Sequence, residues 1–320
     1  MSFSMIGTGK STPAHVLDNE ALTHMVDTSD EWISSRTGIR TRYICTSETL
    51  DNLAAEAAQN ALSMANIQAE QIDLILCATL QGDYITPSLA CMVQKKLGAS
   101  CPAMDINAAC TGFLYALYVA AGYFARKKAK YILVVAAECM SKYIDWTDRN
   151  TCVLFGDGAG AVVLQQGEDL LSCDLFAKGD EAPLFIKGNP NAFPLTERTA
   201  QPHCLHMNGQ DIYRFATKTI CHHVAAALQE ASLSIEDIQY VLAHQANQRI
   251  LDTAAAKLKI PSEKMVSVIH KYGNTSCASI PIMLDDMCRE GKLTAGDLLL
   301  CTAFGAGLTS AAMIIRWHIS

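Results

Sequence analysis

MDINAACTGFLYALYVAAGYFARKKA, residues 104–129, decides the fold. It opens on the end of a short apolar run, Ala103 to Ile106, that predicts the tail of a buried strand. The small residues Ala108 and Ala109 follow, then Cys110, Thr111 and Gly112. Beyond them Phe113, Leu114, Leu117, Tyr118, Ala121 and Phe124 recur at spacings of three and four, the periodicity of a helix. Arg126, Lys127 and Lys128 gather where its last turn is expected, with the sign of charge a helix C-terminus favours. This pattern puts Cys110 at a strand-to-helix junction, on the first turn of an apolar helix. Unpaired N–H groups there stabilise an anion, so the thiol is expected to ionise more easily than a free cysteine. The small neighbours leave room for a reactant to approach the sulfur.

Outward from this stretch the same alternation continues. Residues 72–79 (IDLILCAT) and 130–136 (KYILVVA) are continuous apolar runs, expected for strands buried on both faces, and 160–164 belongs to a further strand. Residues 49–65 and 89–97 carry helical patterns between them. Strands alternating with helices predict an α/β chain with a largely parallel sheet covered on both sides. The second half repeats the first. EQIDLILCA at 70–78 aligns with EDIQYVLAH at 236–244, and FGDGA at 155–159 aligns with FGAGL at 304–308, each pair in the same order. The offsets are 166 and 149 residues, so the first half carries an insertion of about 17, placed within 139–154. Two duplicated halves related by a pseudo-twofold follow, divided at 1–168 and 169–320. FGDGAG lies between two strand patterns and does not open a helix, so it is assigned to tight backbone packing and not to a nucleotide.

Composition narrows the class. The chain has 320 residues, 50% hydrophobic and 18% charged, with a formal net charge of −7, a balance that gives no support to nucleic-acid binding. The 13 cysteines include no C-x-x-C pair and no Cys/His ligand spacing, so no metal site is expected. No secretory signal and no long apolar span is visible, so the expected setting is the reducing cytoplasm, away from a membrane.

Two further polar groups repeat the placing of Cys110. His244 ends the apolar run 238–243 and precedes a helix over 247–259. Asn274 follows an expected strand at 265–269 and precedes a helix at 280–287. Ligands bind at that edge of an open parallel sheet, and a cysteine with a histidine and an amide donor is a nucleophilic set. Near the start, Thr28 or Ser29 is placed to cap a short helix on which Trp32 and Arg36 share a face. A Trp beside cations suits a stacked, phosphate-bearing aromatic base; it equally suits a Trp covering a domain edge.

DTSDEWISSRTGI (27–39), AAC (108–110), TDR (147–149), FGDGAGA (155–161), HQAN (244–247) and GNTS (273–276) together resemble the thiolase-fold condensing enzymes, most nearly β-ketoacyl-acyl carrier protein synthase III, over almost the whole chain. The resemblance implies a thiolase-like fold: duplicated βαβαβαββ halves in five αβαβα layers. It implies that Cys110 takes an acyl group as a thioester, while His244 and Asn274 act in a decarboxylating condensation. Trp32 and Arg149 would then sandwich the adenine of coenzyme A, Arg36 and Arg249 would lie near its phosphates or the tunnel mouth, and Gly209, Ala246 and Asn247 would line the pantetheine tunnel. The substrates implied are an acyl-CoA and malonyl-acyl carrier protein, with coenzyme A thioester as substrate and no cofactor. The oxyanion hole would use the backbone N–H of Cys110 and, within residues 304–307, that of Ala306. GNTS supplies neither the second histidine of elongating synthases nor the glutamate of hydroxymethylglutaryl-CoA synthases. Related enzymes of specialised polyketide-type metabolism stay open as an alternative, as does a non-catalytic acyl-CoA-binding homologue. The family also implies a homodimer in which the 81–88 loop closes the partner's acyl pocket. There Thr86 stands where some acetyl-specific members carry Phe, which admits longer or branched primers unless Tyr84 or Ile85 turns inward. One departure is Gly305-Ala306-Gly307 in place of three glycines, which would be strained if Ala306 needed a positive φ.

Overall fold

The computed structural model describes residues 2–188 and 204–319. The chain opens with β1 (Ser2–Ser11), then a ribbon of β2 (His15–Asp18) and β3 (Thr41–Ile44) that brackets α1 (Asn19–Thr23) and α2 (Asp30–Thr37). Helices and strands then alternate: α3 (Leu50–Ala65), β4 (Leu74–Ala78), α4 (Leu89–Leu97), β5 (Ala103–Ile106), α5 (Gly112–Ala125), β6 (Tyr131–Cys139) and β7 (Asp157–Gly167). The second half begins with β8 (Leu170–Asp180), followed by the short pair β9 (Leu184–Ile186) and β10 (Leu205–Met207), and then α6 (Gly209–Ala231) and β11 (Tyr240–Ala243). It closes with α7 (Gln248–Leu258), α8 (Ile269–Tyr272), α9 (Ser279–Arg289), β12 (Leu298–Gly305) and β13 (Gly307–Arg316).

The first sheet has the order β1-β7-β6-β4-β5, with β4 parallel to both β5 and β6, and β7 antiparallel to its two neighbours. The second has the order β8-β13-β12-β11, with β12 parallel to β11 at the edge and β13 antiparallel to its two neighbours. Strand for strand the two sheets correspond, and every strand of the first lies before residue 168, every strand of the second after it. The place of β5 in the second half is held by a single parallel bridge, Val241 to Met265. The strand expected over 265–269 therefore does not form. The side-chain oxygen of Gln245 accepts the N–H groups of Val268 (3.0 Å) and Ile269 (3.1 Å), which takes them from a ladder and turns the chain into α8.

Five layers result. Along β4 the side chains alternate: Ile75 and Cys77 face an outer layer with Leu53 and Ala57 of α3 and Val93 of α4, whereas Leu74 and Leu76 face inward. Between the two sheets lie α5 and α9, where Phe113, Leu117 and Phe124 join Ile280, Met283 and Met287. Ile220 and Val224 of α6, with Ile250 of α7, cover the far side of the second sheet. Coverage on both faces explains the unbroken apolar runs of the inner strands. The glycines of residues 155–161 serve this packing. A Cβ on Gly160 would lie 2.8 Å from the backbone of Pro281 and Ile282, so β7 and α9 approach at contact distance only through glycine. Among the described residues no helix is long and apolar enough to cross a membrane.

Candidate active site

Cys110 sits on an elbow. After β5 the chain bends through Ala109, whose φ is +47°, and Ala109–Thr111 forms one 3-10 turn before α5 begins at Gly112. Small residues let this bend lie against β12: a Cβ on Gly305 would be 2.8 Å from the Cys110 nitrogen. The nucleophile candidate thus precedes the α-helix, and Arg126 to Lys128 fall at and beyond its C-terminus. The expected easy ionisation does not hold for the resting thiol. Cys110 is half-buried, with its surface opening into a cavity. Burial pushes its thiol up to about 11; the Ser276 hydroxyl works against this and the charge of Glu138 adds to it. Desolvation is the largest influence on this thiol, because burial disfavours the charged form.

His244 leaves the end of β11 and is 1% exposed. Burial pushes its imidazole down to about 3, so the ring is neutral. Its Nδ1 lies 2.8 Å from Ser279 Oγ at the start of α9, and the ring stands edge-on to Phe304 at 5.5 Å. Ser279 Oγ also accepts the Gln245 N–H at 3.4 Å. When the serine hydroxyl donates to Nδ1, the proton of the neutral ring lies on Nε2. Asn274 is held at both backbone groups, donating to Leu154 O (2.9 Å) and accepting from Gly156 N (3.0 Å). Its side-chain oxygen accepts the Ser276 N–H at 2.9 Å, so the amide NH2 is the donor it has to offer.

Cys110, His244 and Asn274 line one cavity of about 1750 Å³. The same walls carry Trp32, Arg36, Gly209, Ala246, Asn247 and Arg249. Ser29, not Thr28, caps α2, its Oγ accepting the Trp32 N–H at 3.1 Å, and the Arg36 guanidinium lies 4.7 Å over the Trp32 ring. Asn247 has a second duty as cap of α7, its oxygen accepting the Arg249 N–H at 2.9 Å. Arg149 is not on the cavity wall. Its guanidinium lies 5.3 Å over Trp32 and donates to Asp27 O at 2.9 Å, so a base entering between the two must displace it. Ala306 lies on the wall with φ outside the left-handed region, which removes the strain expected there. Thr86 is exposed and apart from this cavity in the single chain.

Sequence reasoning missed three groups. Ser279 orients His244. Arg214 adds a cation to the wall. Glu138, fully buried at the end of β6, bonds Ser276 beside the thiol; its signal was an acid in an otherwise apolar strand. The fold also gathers two clusters of thiol, imidazole and carboxylate groups that no spacing announced, Cys45 with Cys139 and Asp157, and Asp174 with His222 and His223. In the first, Asp157 already accepts the Cys45 N–H (2.8 Å), the Ser141 N–H (2.9 Å) and the Ser141 hydroxyl (2.7 Å).

A five-layer duplicated fold with a cysteine elbow facing a histidine and an amide is that of a thiolase-like condensing enzyme, an acyltransferase that works through carbon–carbon bond formation. Two family models match, 3-oxoacyl-[acyl-carrier-protein] synthase III over residues 104–179 and its C-terminal part over 228–317. The β-ketoacyl-[acyl-carrier-protein] synthase III of Clostridium perfringens is 45% identical, covering 98% of both chains, and that of Synechocystis is 45% identical over 98% of this chain and 97% of its own. The crystal structure of the Aquifex aeolicus synthase superposes with a TM-score of 0.93 at 43% identity, covering 99% and 100% of the two chains. A priming β-ketosynthase of the R1128 polyketide pathway superposes equally well, TM-score 0.93, at 32% identity over 99% and 96%. This chain belongs to the 3-oxoacyl-[acyl-carrier-protein] synthase III family.

Proposed function

We propose that the enzyme performs the initiating condensation of fatty acid synthesis in two half-reactions around one acyl-cysteine. The observation that carries this reading is the cavity that gathers a half-buried cysteine, a neutral histidine whose Nδ1 meets the Ser279 hydroxyl, and an amide NH2. In the first half-reaction the Cys110 sulfur attacks the carbonyl of an acyl-CoA. The oxyanion takes hydrogen bonds from the N–H groups of Cys110 and Ala306, and coenzyme A departs. Trp32 and Arg149 hold the adenine, Arg36 and Arg249 the phosphates, and Gly209, Ala246 and Asn247 flank the pantetheine. In the second, malonyl-acyl carrier protein delivers its thioester by the same passage. His244 Nε2–H and the Asn274 amide donate to its carbonyl oxygen as CO2 leaves. The carbanion attacks the acyl-cysteine, giving 3-oxoacyl-acyl carrier protein and freeing Cys110. The chemistry calls for no cofactor, since coenzyme A is bound as a substrate, and two substrates around one covalent intermediate give ping-pong kinetics. The working form is a homodimer in the cytoplasm that binds neither nucleic acid nor membrane.

Incubation with acyl-CoA alone, followed by peptide mass mapping, tests this. The acyl mass is expected on the Cys110 peptide and absent in Cys110→Ala. A label on another cysteine, or full turnover by that variant, overturns the reading. The likeness to the R1128 priming enzyme favours a second reading, a starter synthase of polyketide type. Turnover with malonyl groups on fatty acid and on polyketide carrier proteins separates the two.

A further inference from the structure

Glu138 has no part in the half-reactions above, yet this buried acid is linked to their nucleophile through a single hydroxyl. It is 0% exposed, at the end of β6. Its Oε1 lies 3.2 Å from Ser276 Oγ and 3.3 Å from Cys277 Sγ, and the Leu80 N–H reaches it at 3.2 Å. Ser276 Oγ lies in turn 3.5 Å from Cys110 Sγ. That hydroxyl is within reach of two acceptors and carries one proton. When it donates to the Glu138 carboxylate, its oxygen is free to accept the Cys110 S–H. When it donates to a Cys110 thiolate, the contact with Oε1 survives only if Glu138 carries a proton. The two arrangements differ by one proton moved from sulfur to carboxyl along a chain of two hydrogen bonds.

We propose that Glu138, acting through Ser276, accepts the Cys110 proton when the enzyme is acylated and returns it when the product is released. The inference rests on the acyl-cysteine reading above. In the first step the S–H bond of Cys110 breaks as an Oγ–H bond forms on Ser276, and the former Ser276 proton bonds to Glu138 Oε1. The thiolate attacks, and the departing coenzyme A thiolate takes its proton from solvent. In the second step Cys110 leaves the tetrahedral adduct as a thiolate, and the Glu138 proton returns through Ser276 to restore the thiol. The only proton consumed over the cycle is the one on coenzyme A. Glu138 is a positioning residue in this scheme, since it meets the reacting sulfur only through Ser276.

The surroundings agree. The titratable groups that face Glu138 are Cys110, Cys277, Asp157 and Tyr143. Burial first, then the charge of Asp157, raises its carboxyl, while Cys277, Leu80 and Ser276 pull the other way, leaving it at about 7. Such a carboxyl is poised to exchange a proton near neutrality. Burial is the main reason the Cys110 thiol is pushed up, and protonating Glu138 removes the charge that adds to it. His244 is a poor competitor as acceptor, because burial depresses its affinity for a proton.

The relay and a purely electrostatic role predict opposite signs. A carboxylate that is merely a charge beside the thiol hinders ionisation, so Glu138→Gln would speed reaction at Cys110. As a proton acceptor, the same change slows it. The test is the rate of Cys110 alkylation by iodoacetamide, and of self-acylation by acyl-CoA, read by intact mass across pH for the full-length enzyme and for Glu138→Gln, Glu138→Asp and Ser276→Ala. In the unaltered enzyme both rates are expected to fall as the pH drops through about 7. Glu138→Gln is expected to lose that inflection and to react on the order of a hundredfold more slowly at neutral pH. Glu138→Asp should restore the inflection in part, and Ser276→Ala, which keeps the carboxylate but cuts the chain, should lose it. A Glu138→Gln enzyme that reacts as fast as the parent or faster overturns the proposal. If that variant does not fold, a Ser276→Ala enzyme that keeps the inflection overturns it alone. Failure of the parent enzyme to take an acyl group on Cys110 defeats the acyl-cysteine reading, while the alkylation rates still decide the relay.

Discussion

Burial pushes the Cys110 thiol up, to about 11, and the His244 imidazole down, to about 3, so both shifts favour a neutral pair over a thiolate–imidazolium pair. In the proposed mechanism a neutral His244 donates from Nε2, and its work falls on the enolate of the second half-reaction, together with Asn274. Asn274→Ala should therefore accept an acyl group at close to the normal rate and lose roughly a hundredfold or more in condensation, as expected for removing one oxyanion donor. Single-turnover acylation and steady-state condensation, measured side by side, check this; equal losses in both would sink the division of labour. His244 also sets an acid limit on stability. Its folded pKa lies below the unfolded value of about 6.5, so the fold must give up favourable protonation as the pH falls from about 6.5 toward 3. The melting temperature should drop over that window, and His244→Gln should shrink the drop. At the cavity rim, Trp32→Ala should raise the acyl-CoA Michaelis constant roughly tenfold by removing a stacking contact of 1–2 kcal/mol, while turnover of malonyl-carrier protein is spared.

At the scale of elements, the contact of β7 with α9 links the layers to the site. Gly160→Ala places a Cβ 2.8 Å from the backbone of Pro281 and Ile282, atoms that cannot rotate away. A loss of about 1–3 kcal/mol in denaturant unfolding is expected. Because α9 begins at Ser279, which fixes His244, condensation should weaken as well. Unchanged stability would mean that the two layers slide apart freely. Those layers were legible in the sequence for a physical reason: strands covered on both faces must be apolar throughout, so β4 and β6 announced themselves, and the repeat of β4 in β11 announced the duplication. Leu89–Leu97 has the bounds its pattern gave. The strand over 265–269 failed because Gln245, twenty residues earlier, satisfies its backbone. The ionisation of Cys110 failed for the same kind of reason. The helix junction is local and visible, whereas the burial and the Glu138 charge that oppose it come from β6 and from the whole fold. Cys110, His244 and Asn274 each stood out by position, and the long-range hydroxyls that orient or link them, Ser279 and Ser276, did not.

For the whole molecule, the first sheet ends in β5, whose outer edge has no partner strand among the described residues. Met104 on that strand is 36% exposed, and on the preceding loop Tyr84 is 52% and Ile85 87% exposed. An open strand edge with apolar side chains around it suits a second copy of the chain, which would cover both. Met104→Lys combined with Ile85→Glu should yield monomers by sedimentation, where the parent enzyme is expected to sediment as a dimer. In that dimer the 81–88 loop, which carries the exposed Thr86, would reach across to the partner's acyl pocket. A threonine there leaves space that a phenylalanine would fill, and each extra methylene buried in the space is worth about 0.8 kcal/mol, or roughly fourfold in specificity constant. The parent enzyme should therefore favour hexanoyl- or isobutyryl-CoA over acetyl-CoA, and Thr86→Phe should reverse the order. The monomeric double variant should lose the discrimination, since its pocket would lack the partner's loop. A parent enzyme that strongly prefers acetyl-CoA, with a Thr86→Phe variant that leaves the ratio unchanged, would place Thr86 outside the pocket and give the closing role to Tyr84 or Ile85.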